Sequence, residues 1–311
     1  MEKNRKRKRE YSNLPKGMRK GAYLFCYILA IPAIYGIIKY FIINSQSILM
    51  AFSEGELFSS PFTLDHFKRL FSEFAFDSVT GNPGPIFIAT KNTLVYFGVS
   101  VVQQTLSYFV AYFLYKKIPG HSVFRFILFL PAVIAPVISV SVFKNLIRVE
   151  GPIWNIWEKL TGSGYDDLLV YDTTATKTIV AYCLLQGFGT SFLILVGAMN
   201  RIPEEIIESA NLDGCKTFGE FIHIIFPLTW GTFSVFLLLT VAMIFTSSGP
   251  ILYFTNGGAY TYTLGFWIFD QVRGNSTNYP AAIGVFFTVI GIPIVLIVRF
   301  ITNKIDTEVT Y

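Results

Sequence analysis

Residues 202–227 read IPEEIIESANLDGCKTFGEFIHIIFP, a polar stretch between two long apolar segments. Pro203 suits the first position of a helix, where its missing N–H is not needed. Glu204 and Glu205 fall in the first turn, where the helix dipole favours negative charge. Gly214 is suited to the left-handed conformation that ends many helices. The stretch therefore predicts a short polar helix with its own start and stop signals.

A second helix is predicted directly after this turn. Thr217 stands three residues before Glu220, which is the spacing of a capping box. Within the first helix, Ile206, Ile207 and Ala210 lie at helical spacing and are predicted to form its buried side. A polar helix of about ten residues, about 15 Å long, is suited to a groove on another protein.

The composition indicates a membrane protein. Hydrophobic residues make up 52% of the 311 residues and charged residues only 14%, whereas soluble domains average about 25% charged. Six Lys or Arg residues occur in the first ten positions. This basic run ends where a long apolar segment begins, which favours the positive-inside effect over nucleic-acid binding.

Six apolar segments are each long enough to cross a bilayer, which requires about 20 residues. They lie at about 22–43, 89–115, 122–147, 176–200, 222–247 and 280–301. The first is too long for a signal peptide, and no clear small-residue cleavage site follows it. The sequence predicts an all-α membrane protein with six transmembrane helices. The domain spans residues 21–311 behind a basic tail at 1–20.

The charges predict the orientation of these helices. With a cytoplasmic N-terminus, the segments 116–121 and 201–221 and the C-terminus lie inside, whereas the predicted outer loops are rich in Asp and Glu. The inner segments carry Lys116, Lys117, Arg201, Lys216 and Lys304. We therefore predict a multi-pass protein of the cell membrane with both termini in the cytoplasm.

The sequence contains no visible means of generating energy. The string Gly214–Thr217 lacks the adjacent Gly-Lys and the upstream glycine of a phosphate-binding loop. Asp and Glu are nearly absent from the six segments, which disfavours a proton- or sodium-coupled carrier. The three histidines show no metal-ligand spacing, and no Ser/His/Asp constellation is apparent. We therefore predict a transport subunit that is not an enzyme and receives its energy from a partner.

The polar stretch resembles the "EAA" loop of binding-protein-dependent ABC importer permeases. That pattern is Glu-Ala-Ala, three residues, Gly, nine residues, Ile, one residue and Leu-Pro. Here it reads Glu208-Ser209-Ala210, Gly214, Ile224 and Phe226-Pro227. Asp213 and the TNGG of 255–258 are typical of the carbohydrate-importing branch. The departures are Ser209 for Ala, Phe226 for Leu, and Ala259 where Pro is frequent.

The resemblance implies a type I ABC importer transmembrane domain with a cytoplasmic coupling helix in the loop 201–221. It implies four kinds of partner: a second homologous permease, two copies of a cytoplasmic ATPase, an extracytoplasmic solute-binding protein and membrane lipid. ATP and Mg would be bound by the ATPase, so no cofactor is expected in this chain. The residues implied in coupling are Glu204, Glu205, Ile207, Glu208, Ser209, Ala210, Asp213 and Gly214.

Polar groups within the apolar segments are candidates for sugar contacts, because a sugar site needs hydrogen-bonding side chains sheltered from lipid. Asn145 lies on the third segment and Gln186 on the fourth. The resemblance, extended without gaps from the motif, points to Gly187, Thr240 and Ser247. Hydroxyls in spans usually bond back to a helix, however, and glycines usually allow close packing.

Other functions remain open from the sequence. The same architecture imports other solutes, such as glycerol phosphate or a polyamine. A phosphate substrate favours a cationic pore, yet no Lys or Arg occurs between Lys177 and Arg201 or between 222 and 247. An ATP-independent membrane carrier or membrane-embedded enzyme would act without an ATPase. A structural subunit would not need the polar residues named above.

Overall fold

The computed structural model describes residues 16–55, 61–75, 83–189 and 191–305. Most of the predicted basic tail, residues 1–15, lies outside the described residues, as does the C-terminal segment 306–311. Residue contacts divide the chain into two units, 1–64 and 65–311.

The first unit consists mainly of one helix, α1 (Lys16–Ala51), followed by an isolated antiparallel bridge between Ser53 and Phe62. Its 36 residues make α1 about 54 Å long, well beyond the roughly 30 Å hydrocarbon core of a bilayer. Large apolar side chains such as Ile31 and Phe41 are exposed. Such a surface is suited to contact with lipid.

The second unit is also helical throughout its described residues. Its longest helix, α3, packs against several of the others and forms the centre of the unit. The elements are α2 (Asp65–Phe74), α3 (Pro85–Tyr115), α4 (His121–Val133), α5 (Pro136–Ile147), α6 (Pro152–Thr161), α7 (Asp172–Gln186), α8 (Ser191–Met199), α9 (Glu204–Leu212), α10 (Thr217–Glu220), a π-helix (Phe221–Ile225), α11 (Phe226–Ala242), α12 (Ile251–Phe254), α13 (Leu264–Arg273) and α14 (Asn278–Ile305).

Five described helical stretches are long and apolar enough to cross a membrane, and each corresponds to a predicted span. They are Ala30–Ala51, Pro85–Tyr115, Asp172–Met199, Thr217–Ala242 and Asn278–Ile305. The helical membrane fold predicted from the sequence is thus confirmed. The number of spans is five or six, depending on the segment that was predicted at 122–147.

That segment is interrupted rather than continuous. The stretches His121–Val133 and Pro136–Thr161 meet at an angle of 107°. Ile134 and Ala135 have ψ angles of 134° and 135°, outside the helical range. Pro136 explains part of this break, because a proline disfavours the helical conformation in the residue before it. Apolar composition alone did not reveal the bend.

Three buried apolar clusters hold the second unit together. One joins α3, α8, the π-helix and α11 around Tyr108, Phe192 and Phe221. Another joins α2, α3, α13 and α14 around Leu70 and Trp267. The third joins α3, α5, α7, α12 and α13 around Tyr96 and Tyr182. Because α3 contributes to all three clusters, it connects the two ends of the unit.

Candidate functional site

The predicted polar helix is present as α9. It begins at Glu204, one residue later than predicted, because Pro203 occupies the capping position with a ψ of 135°. Glu204 and Glu205 lie in the first turn, where they complement the positive end of the helix dipole. The start signals read from the sequence are therefore confirmed to within one residue.

The end of α9 is a Schellman motif. The Gly214 N–H donates to the Asn211 carbonyl at 3.1 Å, and the Cys215 N–H donates to the Ala210 carbonyl at 2.9 Å. Gly214 has a φ of +78°, the left-handed conformation that this motif requires and that glycine adopts without strain. The turn direction after α9 is thereby determined by local hydrogen bonds.

The two faces of α9 differ in exposure as predicted. Ile206, Ile207 and Ala210 are half-buried, and Ile207 packs against the cluster around Tyr108. The opposite face is exposed, and Leu212 retains 89% of its accessible surface.

The carboxylate of Glu208 lies on the accessible side of α9. Glu208 is exposed and forms no ion pair with any described residue. Glu204 and Glu208 border the same 290 Å³ cavity, together with Lys116, Lys117 and Asn200. The two glutamates therefore share a side of the helix, as their spacing predicts. Ser209 and Asp213 are also exposed.

The predicted capping box is wrong. The N-cap of α10 is Lys216, and no side chain caps this helix end. Glu220 instead turns inward, where it is 1% exposed. Its two carboxylate oxygens accept from Lys116 Nζ at 2.9 and 3.1 Å. The spacing of a capping box is present, but the Glu220 carboxylate accepts from the ammonium group of Lys116 at the end of α3. A charged donor forms a stronger hydrogen bond with a carboxylate than a backbone N–H does.

A second hydrogen bond joins the same two elements. The Tyr112 hydroxyl donates to the Thr217 carbonyl at 2.8 Å. The segment that follows α9 is thus attached to the end of α3 at two points.

A π-helix, Phe221–Ile225, connects α10 to α11. The Phe221 ring packs on Tyr112 at 4.9 Å and stacks on Phe109 at 5.1 Å between centroids. The wider π turn allows the Phe226 N–H to donate to the Phe221 carbonyl, five residues back. Short π segments are frequent at functional sites. Here it ends two residues before Pro227, which lies in the first turn of α11.

Two of the predicted pore residues lie together. Thr240 and Ser247 border a 210 Å³ cavity between α11 and α3, which is also lined by Thr93, Tyr96 and Ser100. The Thr240 hydroxyl donates to the Phe236 carbonyl at 3.0 Å, as hydroxyls in spans commonly do. The buried Tyr96 hydroxyl has no hydrogen-bond partner among the described residues. The cavity is thus lined by hydroxyl-bearing residues that include two predicted sugar contacts.

Asn145, Gln186 and Gly187 do not border this cavity. Asn145 is exposed on α5. Gln186 connects three helices, since its Nε2 donates to the Pro131 carbonyl and its Oε1 accepts from the Ser139 hydroxyl, both at 2.9 Å. These bonds satisfy one amide hydrogen and the carbonyl of Gln186, which gives its side chain a structural role.

Gly187 permits a close approach between α3 and the end of α7. A Cβ at this position would lie 1.1 Å from Gln103 Nε2, which donates to the Cys183 carbonyl at 3.0 Å. The glycine thus leaves room for a hydrogen bond between the helices.

Gly187→Ala is expected to lower the apparent Tm of the purified protein. The new methyl group displaces the Gln103 amide and breaks its bond to Cys183, at a cost of about 1–2 kcal/mol. Adding Gln103→Ala removes the clash and recovers part of the loss. Gly197→Ala is the control, because nothing lies within 4 Å of the Cβ built there. A Gly187→Ala protein as stable as the original would contradict this packing role.

Comparison with known protein families decides the identity. The model of the family described as "Binding-protein-dependent transport system inner membrane component" matches residues 87–311. The chain belongs to this family. The match begins near the start of α3 and includes α9, the π-helix and the cavity at Thr240. The family is that of a transport component of the inner membrane, which agrees with the apolar helices described above.

Individual relatives cover most of this inner membrane component. The "Probable ABC transporter permease protein YesP" of Bacillus subtilis is 26% identical and covers 72% of this chain and 75% of its own length. The "Polygalacturonan/rhamnogalacturonan transport system permease protein YteP" of the same organism is 24% identical, over 92% of this chain and 90% of its own. A chain from a bacterial alginate ABC transporter, solved with an alginate pentasaccharide-bound periplasmic protein, superposes with a TM-score of 0.79. It shares 20% identity and covers 93% of this chain and 96% of that one.

Sequence reasoning missed several polar residues of this inner membrane component. Lys116 was read only as a positive-inside charge, although it pairs with buried Glu220. Tyr96, Gln104 and Ser107 lie along α3 and each has a buried polar atom without a partner among the described residues. Their spacing of eight and three residues places them on one side of the helix. That periodicity within an apolar span was a usable signal.

Proposed function

We propose that this chain is the membrane-spanning permease subunit of an ATP-driven importer and forms half of a pore for a sugar or oligosaccharide. Membership of the transport family supports the permease role. The sugar assignment is supported by relatives whose names refer to transport of polygalacturonan, arabinooligosaccharides and maltodextrin. We found no specific observation that favours glycerol phosphate, a polyamine or an ATP-independent carrier.

The observation that carries this proposal is the construction of α9. The helix is polar, exposed on one side, closed by a Schellman motif and followed by two attachments to α3. A stable helix with an unpaired carboxylate on its surface is suited to dock in a groove of a partner. The residues proposed for this contact and its turn are Glu204, Glu205, Ile207, Glu208, Ser209, Ala210, Asp213 and Gly214.

The proposed mechanism uses these attachments. Closure of the partner ATPases on ATP moves α9, and the Lys116–Glu220 pair and the Tyr112–Thr217 hydrogen bond carry this movement to α3. The π-helix carries it to α11. Because α3 and α11 together border the cavity at Thr240 and Ser247, the movement changes the shape of the proposed substrate path. ATP and Mg would be bound by the ATPase and not by this chain.

The proposed assembly contains this chain, a second homologous permease, two copies of the ATPase and a solute-binding protein on the outer side. The loop 201–221 and both termini would face the cytoplasm. Within the proposed sugar path, Thr240 and Ser247 would contact substrate in the cavity between α11 and α3. The other predicted contacts, Asn145, Gln186 and Gly187, do not border this cavity and would meet substrate elsewhere along the path. The proposed domain boundaries are a tail at 1–20 and a permease domain at 21–311.

Purification from native membranes in mild detergent tests this function. We expect the tagged chain to copurify with a second permease and an ATPase in about a 1:1:2 ratio, as the importer architecture predicts. Reconstituted in liposomes with its binding protein, the complex should accumulate sugar only when ATP is present with the ATPase. A chain that purifies alone and transports without ATP would overturn the proposal.

A further inference from the structure

A cavity lined by charged residues lies far from α9. It has a volume of 690 Å³ and is formed by the start of α3, the start of α7 and the loop at Tyr260. Lys91, one of its lining residues, precedes Lys116 by 25 positions on α3, a distance of about 37 Å along a helix. The cavity is therefore at the end of the protein opposite to α9, which is the outer end in the proposed function.

Two lysines from different helices open into this cavity. Lys91 lies on α3 and Lys177 on α7, and both are exposed. Neither forms an ion pair with a described residue. Asp172 is the one acidic residue among the described lining residues, and these residues together carry an excess positive charge. Both lysines lie within the first two turns of their helices, where their ammonium groups reach the aqueous end of the spans. Two unpaired cations that share one cavity attract an anionic ligand.

The remaining lining is suited to a sugar ring. The aromatic rings of Phe87 and Tyr260 provide flat apolar surfaces, and Thr173 and Thr176 provide hydroxyl groups. Sugar recognition requires this combination of apolar surface and a few hydrogen-bonding groups in a concave site. A simple inorganic anion would not make use of the rings.

The loop that carries Tyr260 is held in place. Asn92 Nδ2 donates to the Tyr260 carbonyl at 2.6 Å and to the Tyr262 carbonyl at 3.0 Å. Ala259 and Tyr260 have φ angles of +50° and +48°, a conformation that costs free energy in residues with a side chain. Burial, with a smaller contribution from Tyr260, raises the pKa of the Tyr262 hydroxyl, so this ring stays neutral. Asn92 thus holds a strained loop at the cavity rim.

We propose that this cavity is an outer recognition site for a carboxylated sugar, that is, an oligosaccharide that contains uronic acid units. The ammonium groups of Lys91 and Lys177 bind the carboxylates, and the rings of Phe87 and Tyr260 stack on the sugar faces. This inference rests on the proposed import of sugars and narrows its substrate class to acidic oligosaccharides.

Equilibrium binding tests the site directly. The purified importer complex is placed in nanodiscs of phosphatidylcholine without its binding protein. The probes are trimers of galacturonate, glucuronate and mannuronate, each compared with its methyl ester, which lacks the charge. We expect at least one acid trimer to bind, and its ester to bind about tenfold more weakly. Added salt should weaken binding of the acid more than that of the ester.

Lysine variants identify the site. Lys91→Gln and Lys177→Gln are each expected to raise the Kd of the acid trimer about threefold to fivefold, as for a partly exposed ion pair. The double variant should bind acid and ester almost equally. Lys159→Gln is the control, because Lys159 is exposed on α6 and does not line the cavity; its Kd should not change.

Three results would overturn this inference. The first is that no acid trimer binds. The second is that acid and ester bind equally to the unchanged protein. The third is that the two lysine substitutions leave the Kd unchanged. An effect of the substitutions that appears only with phosphatidylglycerol in the discs would assign the lysines to lipid headgroups and would also overturn it. If ATP-driven uptake of a neutral sugar persists in these cases, the proposed importer function stands and only the acidic substrate class fails.

Discussion

Glu208→Lys is expected to abolish ATP-driven uptake while leaving the chain in the membrane. Glu208 is exposed and unpaired within the described residues, so the substitution removes no internal interaction. In the proposed complex, however, it replaces attraction to a basic residue of the ATPase with repulsion. Truncation of a charge that is paired across an interface costs about 2–5 kcal/mol, and reversal costs at least as much. Uptake should fall by at least about thirtyfold to several thousandfold.

Uptake into reconstituted liposomes and copurification of the ATPase measure this effect. Asn211→Lys is the matched control, because it adds a positive charge to the same helix one turn later, at another exposed position. It should retain most of the activity. Unchanged uptake in Glu208→Lys would refute the coupling role of this carboxylate. Equal loss in both variants would show that the whole surface of α9, and not Glu208, determines docking.

Lys116→Met is expected to destabilise the protein by about 2–4 kcal/mol. It leaves the Glu220 carboxylate without its partner, and the Glu220 side chain is only 2% exposed. Removal of one member of a buried ion pair typically costs about 3–5 kcal/mol. The Lys116 side chain is 31% exposed, so water and rearrangement reduce this cost. The apparent Tm of the purified complex measures the change.

The double variant Lys116→Met, Glu220→Met distinguishes the pair from either charge alone. Two apolar side chains of similar length replace the pair, and such exchanges are often close to neutral. We expect the double variant to lie within about 1 kcal/mol of the unchanged protein. Lys117→Met serves as control, since Lys117 is exposed and forms no ion pair among described residues. A double variant no more stable than Lys116→Met would show that the ion pair does not explain the loss.

Local patterns were sufficient to predict the elements whose causes lie within a few neighbouring residues. The length of apolar segments predicted the spans at Pro85–Tyr115 and Asn278–Ile305, because the thickness of a bilayer determines how many residues a span requires. The residues around Gly214 predicted the end of α9, because a Schellman motif is built from hydrogen bonds over five residues. The motif at Glu208 likewise identified the family, because its residues are close together in the sequence.

Tertiary structure decided which distant residues meet. The capping-box spacing at Thr217 and Glu220 was present, yet Glu220 pairs with Lys116, which is 104 positions away. Likewise, the sequence weighed against an anionic substrate because the fourth and fifth spans lack internal cations. Only the packing of α3 against α7 brings Lys91 and Lys177 to one cavity. The energy of an ion pair depends on the distance between the two charges and on their burial. Both are determined by how the helices pack, and neither can be read from spacing along the chain.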